Sequence, residues 1–346
     1  MNLVTGATGL LGSHIVEKLL SEHKPVRALV RPGSDGSLLA SWGAEVVSGD
    51  VTDPASLEQA LRGVRTVYHA AAQVGDWGKW KQFVAVTIQG TANMLEASRR
   101  AGVRRFLHVS SISTYGHPDG EGLVLDEGAP LGVKLHKWSY YSRAKVEAEK
   151  LVRAAYQRGD VAVTIVKPSW LYGPRDRASM PRLIRAIRAG KAKLIGDGSN
   201  RLNLTYAGNE AEGCILAASS DKAVGQTYNM SNDGVITQAE YLNKLAECVG
   251  APPVTRKVPY RLAYGAAFLM ELFGHAAGRT TPPLVTRYAV WLMGRRCFFS
   301  SDKARRELSW QPTVGYDEGI ARAVRWCLGQ CPLNRRQGAF PAVAGN

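Results

Sequence analysis

Short apolar runs alternate with longer amphipathic stretches through the first half of the chain. Each run has the length and the Val, Ile and Leu content of a buried strand, and the stretches between them have the apolar spacing of helices. Strands and helices that alternate at this spacing form right-handed crossovers, so the pattern predicts a doubly wound, parallel α/β sheet. We predict strands at residues 3–5, 26–30, 45–48, 66–70, 106–110 and 161–167, and helices at 9–21, at 54–61, up to about 101 and around Tyr141.

The pattern loosens after residue 173. A basic helix and a glycine-rich turn follow, and residues 235–290 are helical with breaks at two Pro-Pro pairs, whereas 203–219 and 226–230 again have the helix and strand patterns of the first half. We therefore predict a sheet domain and a smaller, discontinuous, mostly helical lobe. The sheet domain covers 1–173, with 203–232 and about 291–330 returning to it; the lobe covers 174–202 and 233–290; residues 331–346 form a tail.

A glycine-rich turn follows the first strand and opens the first helix. Gly6 permits a tight turn, Gly9 lets the backbone approach a pyrophosphate, and Gly12 allows the helix to pack closely on the sheet. The N–H groups at the start of such a helix bind phosphate oxygens. The turn therefore predicts a dinucleotide site of the Rossmann type, with contacts from Gly6, Thr8, Gly9, Leu10, Leu11 and Gly12.

Arg31 ends the second strand, where an acidic residue would bind the ribose 2′-hydroxyl of NAD. A guanidinium suits a bidentate contact with a 2′-phosphate, so NADP(H) is favoured over NAD(H). A solvent-facing arginine of a basic protein is the alternative interpretation. Asp50 and Val51, after the third strand, are placed where a turn contacts the adenine, and for Asp50 the alternative is a plain turn residue.

Tyr141 and Lys145 lie four residues apart, on one face of the predicted helix. An ammonium group there would stabilise the phenolate and lower the pKa of Tyr141, which would let the hydroxyl exchange a proton near neutral pH. The pair alone is not specific, because a solvated helix face also has this spacing.

Two strand ends supply the residues that make the pair specific. Ser110 and Ser111 close the fifth strand with hydroxyl groups, and the fourth strand ends in small residues that leave room for a cofactor. Open α/β sheets bind ligands at this carboxyl edge, so one of the serines is expected to bind the reacting oxygen. His69 is interpreted as packed and not as catalytic. The small residues are Ala70, Ala71 and Ala72.

Composition narrows the class of protein further. Hydrophobic residues make up 45% and charged residues 21% of the 346 residues, which is typical of a soluble globular protein. The net charge of +15 suits a polyanionic cofactor, an anionic membrane surface or nucleic acid. The arginines are scattered along helices, so nucleic acid ranks last among these partners. Residues 262–270 are the longest apolar stretch and are predicted to be a packed helix; a lip that touches lipid or guides an apolar substrate is the alternative.

Five dispersed cysteines without a C-x-x-C motif indicate reduced thiols in a reducing compartment, and no metal site is predicted. The first strand begins at the initiator methionine, which leaves no room for a signal peptide. No apolar run approaches the roughly 20 residues that span a bilayer. These observations predict a cytoplasmic protein.

Together these residues resemble the extended short-chain dehydrogenase/reductase family, which includes the NAD-dependent epimerases and dehydratases. The likeness runs from residues 5–12 to residues 300–312. It implies that Ser111 is catalytic, that Tyr141 donates or accepts the proton, and that Lys145 binds the nicotinamide ribose and lowers the pKa of Tyr141. Tyr141 and Lys145 are thereby also cofactor contacts.

The resemblance extends to residues 167–174, a segment that flanks the nicotinamide in the family, which implies contacts from Pro168 and Ser169. Arginine is more usual at the position of Lys167, and asparagine at that of Thr87. Within the family the chain is most similar to 3β-hydroxysteroid dehydrogenases and dihydroflavonol reductases, on residues 71–77 and 263–273. That branch implies a bulky, lipophilic alcohol or ketone as substrate, and the family implies a homodimer.

The leading hypothesis is hydride transfer between NADPH and a carbonyl carbon, with Tyr141 as proton donor. A nucleotide-sugar epimerase with tightly bound NAD is the first alternative, in which Arg175, Arg177 and Arg201 would bind a diphosphate. No acidic residue directly follows Ser111, which argues against the sugar-nucleotide dehydratases. An NADP-sensing binding protein without catalysis is the second alternative, although such relatives typically lack the tyrosine.

Overall fold

The computed structural model of the protein describes residues 1–329, so the predicted tail at 331–346, with Cys331, lies outside the described residues. The strands carry branched and aromatic side chains that are mostly buried. The strands are β1 (Asn2–Thr5), β2 (Val26–Val30), β3 (Glu45–Ser48), β4 (Thr66–His69), β5 (Arg105–Val109), β6 (Val124–Leu125), β7 (Val163–Pro168), β8 (Trp170–Tyr172), β9 (Leu194–Ile195), β10 (Leu204–Tyr206), β11 (Thr227–Met230), β12 (Lys257–Val258) and β13 (Phe298–Phe299).

The helices connect these strands and build the lobe. They are α1 (Leu10–Ser21), α2 (Ser37–Ser41), α3 (Pro54–Ala60), α4 (Trp80–Phe83), α5 (Gly90–Arg100), α6 (Tyr140–Gln157), α7 (Ser179–Arg188), α8 (Ala207–Ser219), α9 (Gln238–Cys248), α10 (Tyr260–Ala276), α11 (Arg287–Gly294), α12 (Asp302–Leu308) and α13 (Tyr316–Gly329). A π-helical turn at Val84–Gln89 joins α4 to α5. In this part of the chain, no helix combines the length and the apolar character needed to cross a bilayer.

Seven strands form one parallel sheet in the order β11–β7–β5–β4–β1–β2–β3. The chain winds outward from β1 in both directions, so the strand order reverses between β1 and β4. Ligands bind at the carboxyl edge beside such a reversal. The predicted doubly wound fold is confirmed, and the sequence pattern placed each of its first six strands within about two residues.

Two apolar cores cover the faces of the sheet, and a third fills the lobe. One face packs on α1 and α8 through residues such as Ile15 and Ile215. The other packs on α3, α5 and α6, with Val152 of α6 fully buried. In the lobe, α13 packs on α7 and α9, and Ile320 lies in their common core. α13, which the sequence assigned to the sheet domain, packs on α7 and α9 and also on β8, and the domain boundaries stay a prediction.

Candidate active site

The glycine-rich turn lies against the end of β4. Gly6 has a φ of 64°, which favours glycine, and Gly9 donates its backbone N–H to the Gly6 carbonyl at 2.9 Å. A Cβ on Gly12 would lie 2.1 Å from that same carbonyl oxygen, and one on Gly6 would lie 2.9 Å from the Ala70 carbonyl. Helix, turn and strand can therefore meet only because these positions lack side chains.

The start of α1 is open for an anion. Its N-cap is Gly9, no side chain caps the first turn, and no acidic residue lies in that turn. The helix N–H groups are thus available to a phosphate, which the N-terminal end of the helix dipole also favours. The side chain of Leu11 packs in the core, whereas Thr8 and Leu10 are only partly buried. The turn therefore fits the pyrophosphate of a dinucleotide, and the individual contacts stay a prediction.

The ends of β2 and β3 lie side by side, next to β1, where the adenosine of the cofactor is predicted to bind. Gly49 donates its N–H to the Val30 carbonyl at 3.0 Å, which brings Asp50 close to exposed Arg31. One carboxylate oxygen of Asp50 accepts hydrogen bonds from both the N–H and the hydroxyl of Thr52, each at 2.8 Å. This carboxylate oxygen of Asp50 therefore stabilises the turn, as the alternative interpretation expected. A contact between Asp50 and the adenine stays a prediction and would use the other carboxylate oxygen.

The end of β4 is held by threonine hydroxyls. Ala71 N–H donates to Thr5 Oγ1 at 3.2 Å, and Gln73 N–H donates to Thr87 Oγ1 at 2.9 Å. Thr87 is buried in the π-helical turn, a feature that often marks functional sites. Threonine thus keeps a polar contact beneath the site at the position where the family usually has asparagine. The Ala70–Ala72 segment is positioned by these bonds.

His69 is part of this support and not a catalytic group. Its two ring nitrogens lie 2.9 Å from Thr5 Oγ1 and 3.1 Å from Thr91 Oγ1. Burial, with a contribution from the charge of Lys145, lowers the pKa of His69 to about 3, so the ring is neutral. The interpretation of His69 as a packed residue agrees with this geometry.

Ser111, Tyr141 and Lys145 meet at the carboxyl end of β5, and we call them the trio. Ser111 follows the strand, its Oγ accepts the backbone N–H of Ser113 at 3.1 Å, and its side chain is near enough to Tyr141 to lower the pKa of the phenol. Tyr141 and Lys145 are one turn apart near the start of α6. The Nζ of Lys145 donates to the carbonyl of Val109 at 2.7 Å, so α6 is fastened to the strand end. The fold therefore brings together the three residues that the sequence proposed as catalytic.

The pKa values differ from the expectation for Tyr141. Burial raises the pKa of Tyr141, and the side chain of Ser111 opposes the increase. The ammonium of Lys145 donates to the Val109 carbonyl, and the expected lowering of the Tyr141 pKa by Lys145 stays a prediction. Burial also lowers the pKa of Lys145 to about 8, while the carboxylate of Glu149 opposes that change. A protonated Tyr141 at neutral pH is suited to donate a proton.

Glu149 is a member of the site that the sequence did not reveal. Its buried carboxylate accepts a hydrogen bond from Ser110 at 2.6 Å and from Arg153 Nη2 at 2.7 Å. The buried ammonium of Lys167 lies 3.1 Å from the same carboxylate. Burial lowers the pKa of Lys167 to about 8, and Glu149 opposes the decrease. The spacing of Glu149, one turn after Lys145 on α6, was the signal that could have identified it.

Pro168 and Ser169 extend from Lys167 at the end of β7. The hydroxyl of Ser169 donates to the Ser231 carbonyl at 2.6 Å and lies 3.2 Å from Thr205 Oγ1. The Ser169 side chain thus joins β7 to the neighbouring segments. A contact between Ser169 and the cofactor would therefore be made by the Ser169 backbone. Both cofactor contacts stay a prediction.

The lobe contributes side chains next to the trio. Burial raises the pKa of Tyr288, and the neighbouring Tyr141 adds to the increase. The rings of His117 and His136 are stacked with their centroids 4.0 Å apart. His117 Nε2 lies 3.3 Å from the hydroxyl of Ser139, the residue that precedes α6. Aromatic and imidazole rings therefore form the wall that a substrate would meet beside Tyr141.

The arginines proposed for a diphosphate are not gathered at the trio. Arg175 donates from Nε to Ser13 Oγ at 2.8 Å and pairs with Glu17, both on α1. Its guanidinium also lies 5.1 Å from the centroid of the Trp42 ring. Arg177 and Arg201 are exposed. Arg175 thus contacts α1, and a diphosphate contact from these arginines stays an alternative prediction. Among residues 1–329, no group of three or more potential ligands could hold a metal ion.

A family model for the NAD dependent epimerase/dehydratase family matches residues 2–231, which include the glycine-rich turn and the trio. The chain belongs to this family. The resemblance inferred from the sequence is confirmed, and the family and the glycine-rich turn together support a site for a nicotinamide dinucleotide. Because the relatives described next are named reductases and dehydrogenases, the protein is an oxidoreductase.

Relatives of this family cover nearly the whole chain. A 2-alkyl-3-oxoalkanoate reductase of Stenotrophomonas maltophilia is 32% identical and covers 92% of this chain and 97% of its own. A decarboxylating sterol-4-alpha-carboxylate 3-dehydrogenase of Mus musculus is 30% identical, over 93% of this chain and 89% of its own. Among solved structures, the crystal structure of gox2253 has a TM-score of 0.79 and 29% identity, and the match covers 94% of this chain and 97% of that one.

Proposed function

We propose that this protein is an NADP(H)-dependent reductase that interconverts a ketone and a secondary alcohol on a lipophilic substrate. The observation that carries the proposal is the trio, in which a protonated tyrosine lies near the side chain of Ser111 and one helical turn from a buried lysine. A proton donor, an oxygen ligand and a cation at one strand end suit general acid catalysis of carbonyl reduction.

Each member of the trio has one role in this reaction. Bound NADPH supplies the hydride to the carbonyl carbon. Ser111 donates a hydrogen bond to the substrate oxygen and orients it, and Tyr141 transfers its proton to the alkoxide as the carbon is reduced. Lys145 supplies positive charge next to the phenolate that remains. The lysine also fastens α6 to β5 through Val109, which fixes the distance between Tyr141 and Ser111.

Two observations favour a lipophilic substrate. The relatives from S. maltophilia and mouse are named for an alkanoate and a sterol, and both names describe chemistry at an oxygen-bearing carbon. The ring of Tyr288 lies next to Tyr141 and packs against the buried ring of Trp291, with their centroids 5.7 Å apart. Such rings bury apolar ligand surface well.

The test of this function is a substrate panel. Purified protein is first titrated with NADPH and NADH by thermal shift, and NADPH oxidation is then measured with ketones and aldehydes weighted to long-chain and polycyclic compounds. Oxidation of NADPH with at least one lipophilic ketone is expected. Tight NADPH binding without turnover across the panel would favour the cofactor-sensing alternative. Stoichiometric NAD in the purified protein would favour the epimerase.

The cofactor preference is tested at Arg31. Arg31→Ala removes the guanidinium proposed to bind the 2′-phosphate, so we expect NADPH affinity to fall roughly 10- to 100-fold, the range for a lost hydrogen bond to a charged group. NADH affinity should not change. Exposed Arg104 directly precedes β5, at the amino ends of the strands and away from the proposed cofactor site. Arg104→Ala is therefore the control, with the same loss of charge. Equal weakening of NADPH and NADH binding by Arg31→Ala, or none, would contradict the assignment.

We also propose that the outer face of α10 contacts an anionic lipid surface. Leu262, Leu269 and Phe273 are about two-thirds exposed there, at 66%, 64% and 64%. Exposed Arg261 lies in the first turn of this helix, and exposed Arg279 follows its end. An apolar helix face bordered by cations is the arrangement of an interfacial helix. The homodimer and the cytoplasmic location stay predictions.

Membrane contact is measured by co-sedimentation with vesicles. Wild-type protein should sediment with phosphatidylserine-containing vesicles more than with neutral phosphatidylcholine vesicles, and less at high salt. The double variant Leu269→Ser with Phe273→Ser should lose most of this binding, because it removes apolar surface from the face. Val124→Ser with Val235→Ser is the control, since both valines are more than half exposed elsewhere. Identical sedimentation of the two double variants would rule out this role for α10.

A further inference from the structure

The carboxylate of Glu149 is completely buried and joins α6 to three neighbouring strands of the sheet. Its Oε2 accepts the hydroxyl of Ser110 at 2.6 Å, and Ser110 directly follows β5. Its Oε1 lies 3.1 Å from the ammonium of Lys167 on β7, which is also completely buried. Arg153, one turn further along α6, donates to the same Oε1 and to Thr227 on β11. One carboxylate therefore fixes α6 against β5, β7 and β11.

Lys145 fastens the end of β5 from the preceding turn of α6. Its ammonium donates to the carbonyl of Val109, the last residue of β5, at 2.7 Å. Two successive residues, Val109 and Ser110, are thus bound by two successive turns of one helix, directly before Ser111. Because Tyr141 lies one turn before Lys145, these bonds set where α6 presents the Tyr141 hydroxyl relative to Ser111.

The charge of Glu149 also acts on Lys145. Burial lowers the pKa of Lys145 to about 8, and Glu149 opposes that decrease. Glu149 itself stays ionised: burial favours its neutral form, but its cationic partners and the hydrogen bond from Ser110 outweigh that effect and lower its pKa. A buried carboxylate in its charged form favours the charged form of an ammonium nearby.

The other titratable groups around Lys145 carry no negative charge. On α6, Tyr141 is protonated, because burial raises its pKa. His69 of β4 and His108 of β5 are neutral: burial lowers the pKa of the first to about 3 and that of the second well below its usual value, and the charge of Lys145 contributes to both decreases. Within residues 1–329, Glu149 is thus the acidic side chain that acts on the pKa of Lys145.

We propose that Glu149 is a positioning residue of the trio, which holds the end of β5 against α6 and keeps Lys145 a cation. This inference rests on the proposed function, because a charged Lys145 stabilises the phenolate that Tyr141 becomes when it donates its proton. As the pH rises through the pKa of Lys145, the ammonium is lost and reduction slows. Without the charge of Glu149, this loss begins at a lower pH.

The charge on Lys145 is measured without a substrate. Protein with ¹³C-labelled lysine is titrated by NMR, and the Lys145 signal is the one that is missing from Lys145→Arg. This assignment is needed because burial also lowers the pKa of Lys167 to about 8. We expect a wild-type midpoint of about 8. Glu149→Gln keeps the shape of the side chain and removes its charge, so the Lys145 midpoint should fall by roughly one pH unit or more, the usual effect of a nearby opposite charge.

The kinetic readout is the pH dependence of kcat, measured with the ketone of the panel that has the highest turnover. The ratio of Glu149→Gln to wild-type kcat should be near one at about pH 6 and roughly tenfold lower at about pH 9. The reason is that, above both midpoints, a shift of about one pH unit changes the charged fraction of Lys145 about tenfold. KM should change little. A variant that merely folds less well would lose activity at every pH.

Glu147→Gln is the matched control. Glu147 lies two residues earlier on α6, its side chain is 44% exposed, and it pairs with Lys150. The same charge is removed from the same helix, so the Lys145 midpoint and the kcat ratio should stay at their wild-type values.

A second variant covers the case in which Glu149→Gln folds poorly because Lys167 loses its partner. Glu149→Gln combined with Lys167→Met removes both buried charges, which proteins tolerate better than the loss of one. Burial and Glu149 are the influences on the pKa of Lys145, so the double variant should show the same lowered Lys145 midpoint.

Two results overturn the inference: a Lys145 midpoint that equals the wild-type value in both variants of Glu149, or a kcat ratio that does not change with pH. In both cases, turnover of the ketone by the wild type leaves the proposed function standing. Absence of turnover with every ketone counts against the proposed function itself, and the NMR midpoint then still decides whether Glu149 keeps Lys145 charged.

Discussion

Replacing Tyr141 with phenylalanine is expected to lower kcat for ketone reduction by roughly 100- to 10,000-fold, the usual contribution of a positioned general acid. The variant removes one oxygen from a partly buried ring near Ser111, so the surrounding packing is preserved. NADPH binding should persist, because the glycine-rich turn is untouched. Steady-state kinetics with the most active ketone and an NADPH titration measure the two effects separately.

Tyr140→Phe is the control for this prediction. Tyr140 is the adjacent residue on α6, and its ring packs against Trp80 and Phe83 with centroid distances of 5.6 and 6.1 Å. The same atom is removed one position away, so kcat should remain close to that of the wild type. Near-normal turnover in Tyr141→Phe would remove the basis for the proposed mechanism.

Gly12→Ala is expected to have the second large effect, on cofactor binding and stability. The new Cβ would lie 2.1 Å from the Gly6 oxygen and 2.7 Å from the Gly6 carbonyl carbon, distances at which the turn must move. Overpacking of this kind costs about 1–3 kcal/mol or more. We expect NADPH affinity to fall by about tenfold or more, with a lower midpoint of thermal unfolding. Both are measured by thermal shift with and without NADPH.

The control is Gly265→Ala on α10. Nothing lies within 4 Å of a Cβ built at Gly265, so that variant should bind NADPH normally and be as stable as the wild type or slightly more so. Normal NADPH binding by Gly12→Ala would show that the turn does not hold the pyrophosphate.

The sheet was predictable because its signal is local. Buried parallel strands are apolar along their whole length, and glycines or helix caps mark their ends. The strand predicted at 26–30 and the one at 45–48 have the bounds that the structure shows. The two-stranded sheets, such as β12 with β9, are too short for this signal and were not predicted.

Three features of the site depended on contacts between distant residues. Glu149 meets Ser110 and Lys167 only because α6 crosses behind β5 and β7. Arg175, named for a diphosphate in the epimerase alternative, contacts Ser13 and Glu17 of α1, which its position along the chain does not reveal. The direction of the pKa shift of Tyr141 depended on burial, which the spacing of Tyr141 and Lys145 does not report.

The sequence by itself determined the alternation of strands and helices and the glycine-rich turn, because each depends on residues close along the chain, and its family resemblance proposed Ser111, Tyr141 and Lys145. Only the tertiary structure decided which charges are cancelled. Glu149 is neutralised by Lys167 and Arg153. Burial and pairing of charge are set by elements far apart in sequence, and they decide which groups of the site are charged.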